Sequence, residues 1–332
     1  MRGDHRMELF NQPLPDFLEA YLQSLERKGR KASTLRRYRY DLVDFTVWHR
    51  TLHRKVDFEN FRNLTTEQLQ EYIRYLHLER HYSERTLKRI MTVLNQVYRY
   101  YMSLNRTKTN PMKEVVLPTN EDAGYIETDF LKEEEAQKLL ETIVSLEDLT
   151  DNQLRAREFL IDRNLIIARL FLNYGLTLQE LSALSMKDLS FEQNELIVTS
   201  ASGKRTVHLN PEHKKILFDY YHTIPAPVRP RLHSDDPLFV SFDFQRQTYR
   251  WSYEVDRPKR LTEIAIQKMI RLEVQRAGLR KGVSAQHMRR TCVIKAIEND
   301  LSIDQLRMQF GLKADLTLKR YFDYMEKQQI SS

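Results

Sequence analysis

Only one cysteine, Cys292, occurs in the 332 residues, so no internal disulfide is possible and a reducing compartment is expected. It lies in an apolar stretch, where a buried core thiol is the expected state. Glycine and proline are scarce, at 8 and 10 residues, which favours helix over turn-rich architectures. No apolar run approaches the roughly 20 residues that a membrane-spanning helix needs. The first twelve residues, MRGDHRMELFNQ, lack a hydrophobic signal core, so a soluble cytoplasmic protein without a membrane partner is expected. There is no G-x-x-x-x-G-K-[ST] loop, no G-x-G-x-x-G and no C-x-x-C, which removes the common nucleotide and dithiol chemistries. His81, His208, His213 and His233 have no metal-ligand spacing, so neither a metal nor a cofactor is expected.

What is present is length for two domains, ordinary core content at 41% hydrophobic residues, and a basic excess of 53 − 46, or +7. Apolar residues recur at helical spacing through the first hundred positions. They predict four helices, around Leu14–Leu25, Leu35–Phe45, Leu69–Leu76 and Leu87–Tyr101. Gly29 should end the first and Ser33 cap the second. Thr65 and Gln68 should form a capping box for the third, and Ser83 should open the fourth. Seven basic residues crowd between Arg27 and Arg39. Arg30, Lys31, Arg36, Arg37 and Arg39, joined by Arg85, Lys88 and Arg89, form a candidate DNA-contact face. The alternative for such a run is a solvated basic surface.

Residues 108–128, with Pro111, Pro118 and Gly124, are expected to be a linker between domains at 1–107 and 129–332. From Glu121 to Asp151 the chain has eleven acids against two lysines, a belt expected to coat an outer helix and stay off DNA. Leu165–Tyr174 reads as a core helix. Leu196–Val198 and Arg205–Leu209 should form a hairpin about a turn at Ala201–Lys204. Asn210 caps and Pro211 opens a further helix, Leu238–Ser241 is a candidate strand, and Leu261–Ala277 another amphipathic helix.

The stretch from Val283 to Tyr324 organises the chain. In VSAQHMRRTCVIKAIENDLSIDQLRMQFGLKADLTLKRYFDY, His287 and Arg290 are three residues apart, one turn on a single helical face. A helix from Ile303 to Phe310 should stop at Gly311, and a third should begin near Thr317 and carry Tyr321. This arrangement resembles the C-terminal motif of the tyrosine recombinases, the phage-integrase family. Upstream, NYGLTLQELSAL resembles the family's G-L-R-x-x-E-L segment through Gly175, Leu176, Glu180 and Leu181. KASTLRRYRYDLVDF and YSERTLKRIMTVLNQVYRYY resemble its N-terminal core-binding domain.

The resemblance implies a mainly α, two-domain fold: a helical, SAM-like core-binding domain and a C-terminal α+β catalytic-fold domain with a small β-hairpin. It implies double-stranded DNA as partner. It also implies attack of the Tyr321 phenol on a phosphodiester, with His287 and Arg290 at the phosphate and no metal or nucleotide. Two positions depart from the family pattern. Thr177 stands where its first catalytic arginine belongs, and Leu312 where a histidine usually follows the Leu-Gly pair. Arg289, Arg205 and Arg169 are the candidates to replace the lost arginine. Lys204 is the only local candidate for the family's hairpin lysine, on a shorter turn, and Lys204, Arg205, His287, Arg289 and Arg290 are expected to contact DNA as well. The departures point to a catalytically silent, sequence-specific DNA-binding regulator, a phage or mobile-element repressor. The alternative is an active site-specific recombinase with a rearranged phosphate grip. The tail after Tyr321, FDYMEKQQISS, is a candidate homodimer or DNA-dependent oligomer contact through Met325 and Ile330.

Overall fold

The computed structural model describes residues 13–117, 124–200, 203–312 and 315–331. The N-terminal dodecapeptide, Pro118 at the centre of the expected linker, and Ala201 at the expected hairpin turn lie outside them. The chain divides into two compact units, Met1–Asp122 and Ala123–Ser332.

The first unit is a helical bundle of α1 (Asp16–Arg27), α2 (Ala32–Leu52), α3 (Phe58–Arg62), α4 (Thr66–Leu78) and α5 (Glu84–Ser103). Five helices are present among the described residues, one more than the periodicity predicts. The additional helix, α3, has only five residues, too few to show a period. Its start is set by Asp57, whose carboxylate accepts from the Asn60 N–H at 2.9 Å. Its Phe61 is fully buried and stacks on Tyr98 at 4.4 Å. The Thr65–Gln68 capping box forms as expected, and Gly29 adopts φ +76° just past α1. Ser33 is not the cap of α2: the helix begins a residue earlier, at Ala32, and Lys31 holds the cap position. The core joins Leu18, Leu42, Phe45, Leu69, Ile73 and Leu94, so the apolar stripes read from the sequence do meet. His49 is buried beside Phe45, and burial together with its neighbour His53 pushes its imidazole down to about 4. The expected linker is structured where it is described. Asn110 caps a 3-10 turn at Pro111–Lys113, and Met112 and Val115 join this core.

The second unit is built on α7 (Asp151–Tyr174), whose Ile166, Ile167, Leu170 and Phe171 are completely buried. Packed against it are α6 (Glu133–Val144), α9 (Pro211–Thr223) and α11 (Ala285–Glu298). Short α8 (Leu178–Ala183) follows α7 directly. A three-stranded antiparallel sheet, in the order β1 (Leu189–Ser190), β2 (Glu195–Ser200), β3 (Gly203–His208), lies beyond it. The hairpin strands run further than the sequence predicts. Lys204 therefore sits within β3, opposite Thr199, rather than in the turn. Leu238–Ser241 forms no strand of its own. Val240 makes an isolated bridge to Arg260, and pairing begins at β4 (Phe242–Asp243) with β5 (Thr248–Tyr249). Then come β6 (Trp251–Ser252), β7 (Arg257–Pro258) and α10 (Glu263–Arg276). The chain continues in α12 (Ile303–Phe310) and α13 (Asp315–Ser331), the latter starting two residues before Thr317. Among the described residues no helix is long and apolar enough to cross a membrane.

Candidate functional site

The site grows from three helix termini in the second unit. At the end of α7, Gly175 takes φ +60° and closes the helix in a left-handed cap. A Cβ there would lie 2.6 Å from the Phe310 ring, so both the backbone angle and the close approach call for glycine. At the end of α12, Gly311 does the same with φ +64°. At the start of α8, Thr177 is the cap. Its hydroxyl accepts from the Glu180 N–H at 3.1 Å, and its own N–H donates to the Glu180 carboxylate at 2.8 Å.

Glu180 is the electrostatic centre. Arg205, reaching from β3, donates to both carboxylate oxygens at 2.5 and 3.0 Å. Arg289 of α11 stands 3.7 Å away. Burial pushes the Glu180 pKa up, but the Arg205 and Thr177 hydrogen bonds and the two guanidinium charges outweigh it and hold the carboxyl below its ordinary value. Arg289 also donates to the Gly175 carbonyl and, at 2.6 Å, to the Phe310 carbonyl. One side chain thus ties the ends of α7 and α12 to α11. Arg205, expected among the DNA contacts, is turned inward by its ion pair with Glu180.

His287 and Arg290 lie one turn apart as their spacing predicts, but their face does not meet this centre. Adjacent residues on a helix point about 100° apart. Arg289 faces the Gly175–Glu180 segment, and Arg290 faces the other way. There it pairs with Asp129 and lies over the Tyr125 ring at 4.7 Å. The acidic belt is therefore not only an outer coat. Besides Asp129, Glu133 pairs with Lys295, and Glu135 with Arg280 at 2.5 Å. His287 shares a 2.9 Å hydrogen bond with the Ser284 hydroxyl, so Ser284 serves the imidazole instead of the α11 backbone. Burial, then the charges of Arg290 and Arg280, lower the His287 pKa and keep the ring neutral near pH 7.

Tyr321 lies on α13 and is buried, 3% exposed, among Phe130, Cys292, Leu306 and Phe310. Tyr125 covers it at 4.7 Å between ring centroids. Burial first, then Tyr125, raise the phenol pKa well above its ordinary value. The nearby charges of Arg289 and Arg290 oppose that rise. Leu312, at the position of the family's histidine, packs on the same apolar cluster. Cys292 is the core thiol that the sequence predicts, pushed up to about 12 by burial. Arg169 acts electrostatically on Tyr174 and His213, whereas the cations acting on Glu180 are Arg205 and Arg289. Tyr125, Asp129 and Arg280 gave no local signal in the sequence, because each meets its partner across more than a hundred residues. Glu180 did give one, through its place in the G-L-x-x-x-E-L segment.

In the first unit the basic run divides. Arg30, Lys31, Arg36, Arg37 and Arg85 are exposed, and none of them has an ion pair among the described residues. Arg39, expected outside, flanks the apolar stripe and pairs with Glu19 at 2.6 Å. Arg89 makes a two-pronged bond to Asp41 at 2.8 and 2.7 Å, and Lys88 pairs with Glu84 at 2.5 Å. Lys204, in the second unit, is exposed.

A helical first unit, followed by a helical unit with small antiparallel sheets and a tyrosine on its last helix, is the architecture of the two-domain tyrosine recombinases. The phage integrase family model matches residues 129–328 and the N-terminal SAM-like domain of phage integrases matches residues 18–105, so this chain belongs to the phage integrase family. It is 26% identical over 187 residues to the tyrosine recombinase XerC of Staphylococcus aureus strain MRSA252. That match spans 56% of this chain and 56% of the relative, so the chain aligns with only about half the length of such relatives. Among solved structures, the Tn1549 transposon integrase in complex with transposon right-end DNA has a TM-score of 0.65 at 16% identity, covering 95% of this chain and 99% of that one. The lambda integrase dimer bound to a COC′ core site has a TM-score of 0.60 at 14% identity, covering 93% and 94%. XerH bound to its difH substrate has a TM-score of 0.61 at 18% identity, covering 94% and 83%.

Proposed function

We propose that this protein binds a specific double-stranded DNA site and regulates transcription there, as a repressor of a phage or mobile element, without cutting the strand. The observation that carries this reading is the closed centre at Glu180. Thr177 caps α8 where a phosphate-gripping arginine would stand, and Arg205 is neutralised by the same carboxylate. Removing one oxyanion donor typically costs about 10²–10³ in rate, and a charged two-pronged donor at least as much. Arg290 and Tyr321 are likewise held by the protein's own groups, Asp129 and Tyr125. The DNA complexes of the structural neighbours support a duplex as the partner. Exposed Arg30, Lys31, Arg36, Arg37, Arg85 and Lys204 are the phosphate contacts we assign, with counterion release supplying affinity. A DNA-dependent homodimer through the end of α13 belongs to the same reading. There Ile330 is 80% exposed, while Met325 packs on its own unit.

The test incubates purified protein with genomic fragments and splits the bound set. One half is washed natively and the other denatured in detergent before electrophoresis. Specific fragments held natively, no adduct surviving denaturation, and unchanged retention by Tyr321→Phe are the expected results. A denaturation-resistant adduct that Tyr321→Phe abolishes would sink this reading. It would favour an active recombinase working through a 3′-phosphotyrosyl link. The second reading is favoured by one feature, the gathering of two guanidiniums, Arg205 and Arg289, beside the Thr177 cap. If Glu180 released Arg205, the pair would form a grip assembled differently from the family's.

A further inference from the structure

Away from Tyr321, the second unit contains a cavity of about 700 Å³ between the first half of α7, α10 and the β4 strand. Its size lies in the range of small-molecule sites, roughly 300–1,000 Å³. Its walls are largely apolar, with Leu160, Leu261, Met269 and Leu272 among them. Six cations also line it: Arg157, Arg163, Arg250, Lys259, Lys268 and Arg276. Glu273 is the one acid in the lining, and it is already shared between Arg157 at 2.7 Å and Arg276.

Arg163 is the decisive residue. It is 4% exposed, yet no carboxylate pairs with it among the described residues. Its guanidinium makes three hydrogen bonds, two to the Asn164 side-chain oxygen at 3.3 and 3.1 Å and one to the Val240 carbonyl at 3.1 Å. An arginine has five N–H donors, so 5 − 3 leaves two without an acceptor among the described residues. An isolated buried charge is costly unless something compensates it. Burial depresses the Arg163 pKa, as expected for a guanidinium lacking a counter-charge.

We propose that this cavity binds a small amphipathic monocarboxylate, with the carboxylate on Arg163 and the apolar body against α10. Two free N–H groups match the two oxygens of a carboxylate, the pairing that guanidinium geometry favours. Lys259 and Lys268, both exposed, stand at the rim and draw the anion in. The cavity's dimensions suit a compact molecule with a ring or short alkyl chain. This site is independent of whether the protein cuts DNA.

The experiment titrates the full chain with 1-anilinonaphthalene-8-sulfonate, an apolar anion that fluoresces when it leaves water. It then competes the dye with 4-phenylbutyrate and with the uncharged 4-phenylbutanol. Expected are saturable one-to-one dye binding, displacement by the carboxylate, and at least tenfold weaker displacement by the alcohol. The double variant Lys259→Glu/Lys268→Glu, on the exposed rim, should weaken dye binding at least tenfold with an unchanged circular-dichroism spectrum. Arg163→Gln should do the same. If that variant does not fold, the rim variant decides alone. Absence of saturable binding, equal displacement by the alcohol, or unchanged affinity in the folded variants would overturn the proposal.

Discussion

In the first unit Arg30, Lys31, Arg36 and Arg37 are open to solvent; in the second, Arg205, Arg289 and Arg290 each bond to the protein's own acceptors. Both sets look alike in sequence, as basic residues near an apolar stripe. What separates them is the company brought by folding. Among the described residues no acid pairs with the first four, although Glu19 and Asp41 take the neighbouring Arg39 and Arg89. The second unit places Glu180 and Asp129 within reach of its arginines. The first arrangement suits reversible contact with a polyanion. The second converts charge into a brace for the ends of α7, α8 and α12.

That contrast can be broken most severely at Glu180. Glu180→Gln keeps the side chain's shape but leaves Arg205 and Arg289 without their counter-charge. It should cost about 3–5 kcal/mol, the usual penalty for breaking a buried ion pair from one side. Urea unfolding followed by Trp251 fluorescence in a Trp48→Phe background reads this, because the chain's two tryptophans fall one in each unit. An effect under about 1 kcal/mol, the range of exposed pairs, would mean the centre is solvated and its arginines available. Next comes Gly175→Ala, whose Cβ meets the Phe310 ring at 2.6 Å in a left-handed backbone. Overpacking and the backbone penalty together predict a loss of about 2–4 kcal/mol by the same measurement.

Acid should separate the units by pH. His49 has a folded pKa of about 4 against an ordinary 6.5, so between those values the unfolded chain binds a proton that the folded unit refuses. Its contribution is complete above pH 6.5 and is lost as pH falls toward 4. Glu180 has a depressed pKa, so its contribution is present above the ordinary carboxyl value and declines only below it. Unfolding midpoints reported by Trp48 in a Trp251→Phe chain should therefore fall between pH 6.5 and 4, and His49→Phe should flatten that slope. A midpoint constant across this window would show that the imidazole is not held neutral. The smallest effect belongs to the open surface. Arg36→Gln/Arg37→Gln should leave both unfolding transitions unchanged and lower DNA affinity. The logarithmic salt slope should fall by about 0.9 for each phosphate that is no longer neutralised. An unchanged slope would assign the run to solvation alone.

Several features were readable along the chain because their causes are local. Helix periods, the Thr65–Gln68 box, the Gly311 stop and the Asn210–Pro211 start depend on neighbours within about four residues. Thr177 carried two messages at once. It departs from the family's arginine, and T-L-Q-E is also a capping-box sequence, the role the fold gives it. The helix α3 escaped because five residues show no period. The direction of the α11 arginines escaped for another reason. A three-residue spacing says that His287 and Arg290 share a face, but not which face meets Gly175.

The two-domain plan and the family were legible along the chain, because hydrophobic period, caps, glycine stops and short motifs are short-range properties. Folding alone set which arginines are exposed and which are braced, that Tyr125 covers Tyr321, and that Arg163 lies buried with no acid paired to it among the described residues. The reason is physical. An ion pair or a buried ring is defined by distances of a few ångströms between groups such as Arg290 and Asp129, 161 positions apart in the chain, and only folding sets those distances.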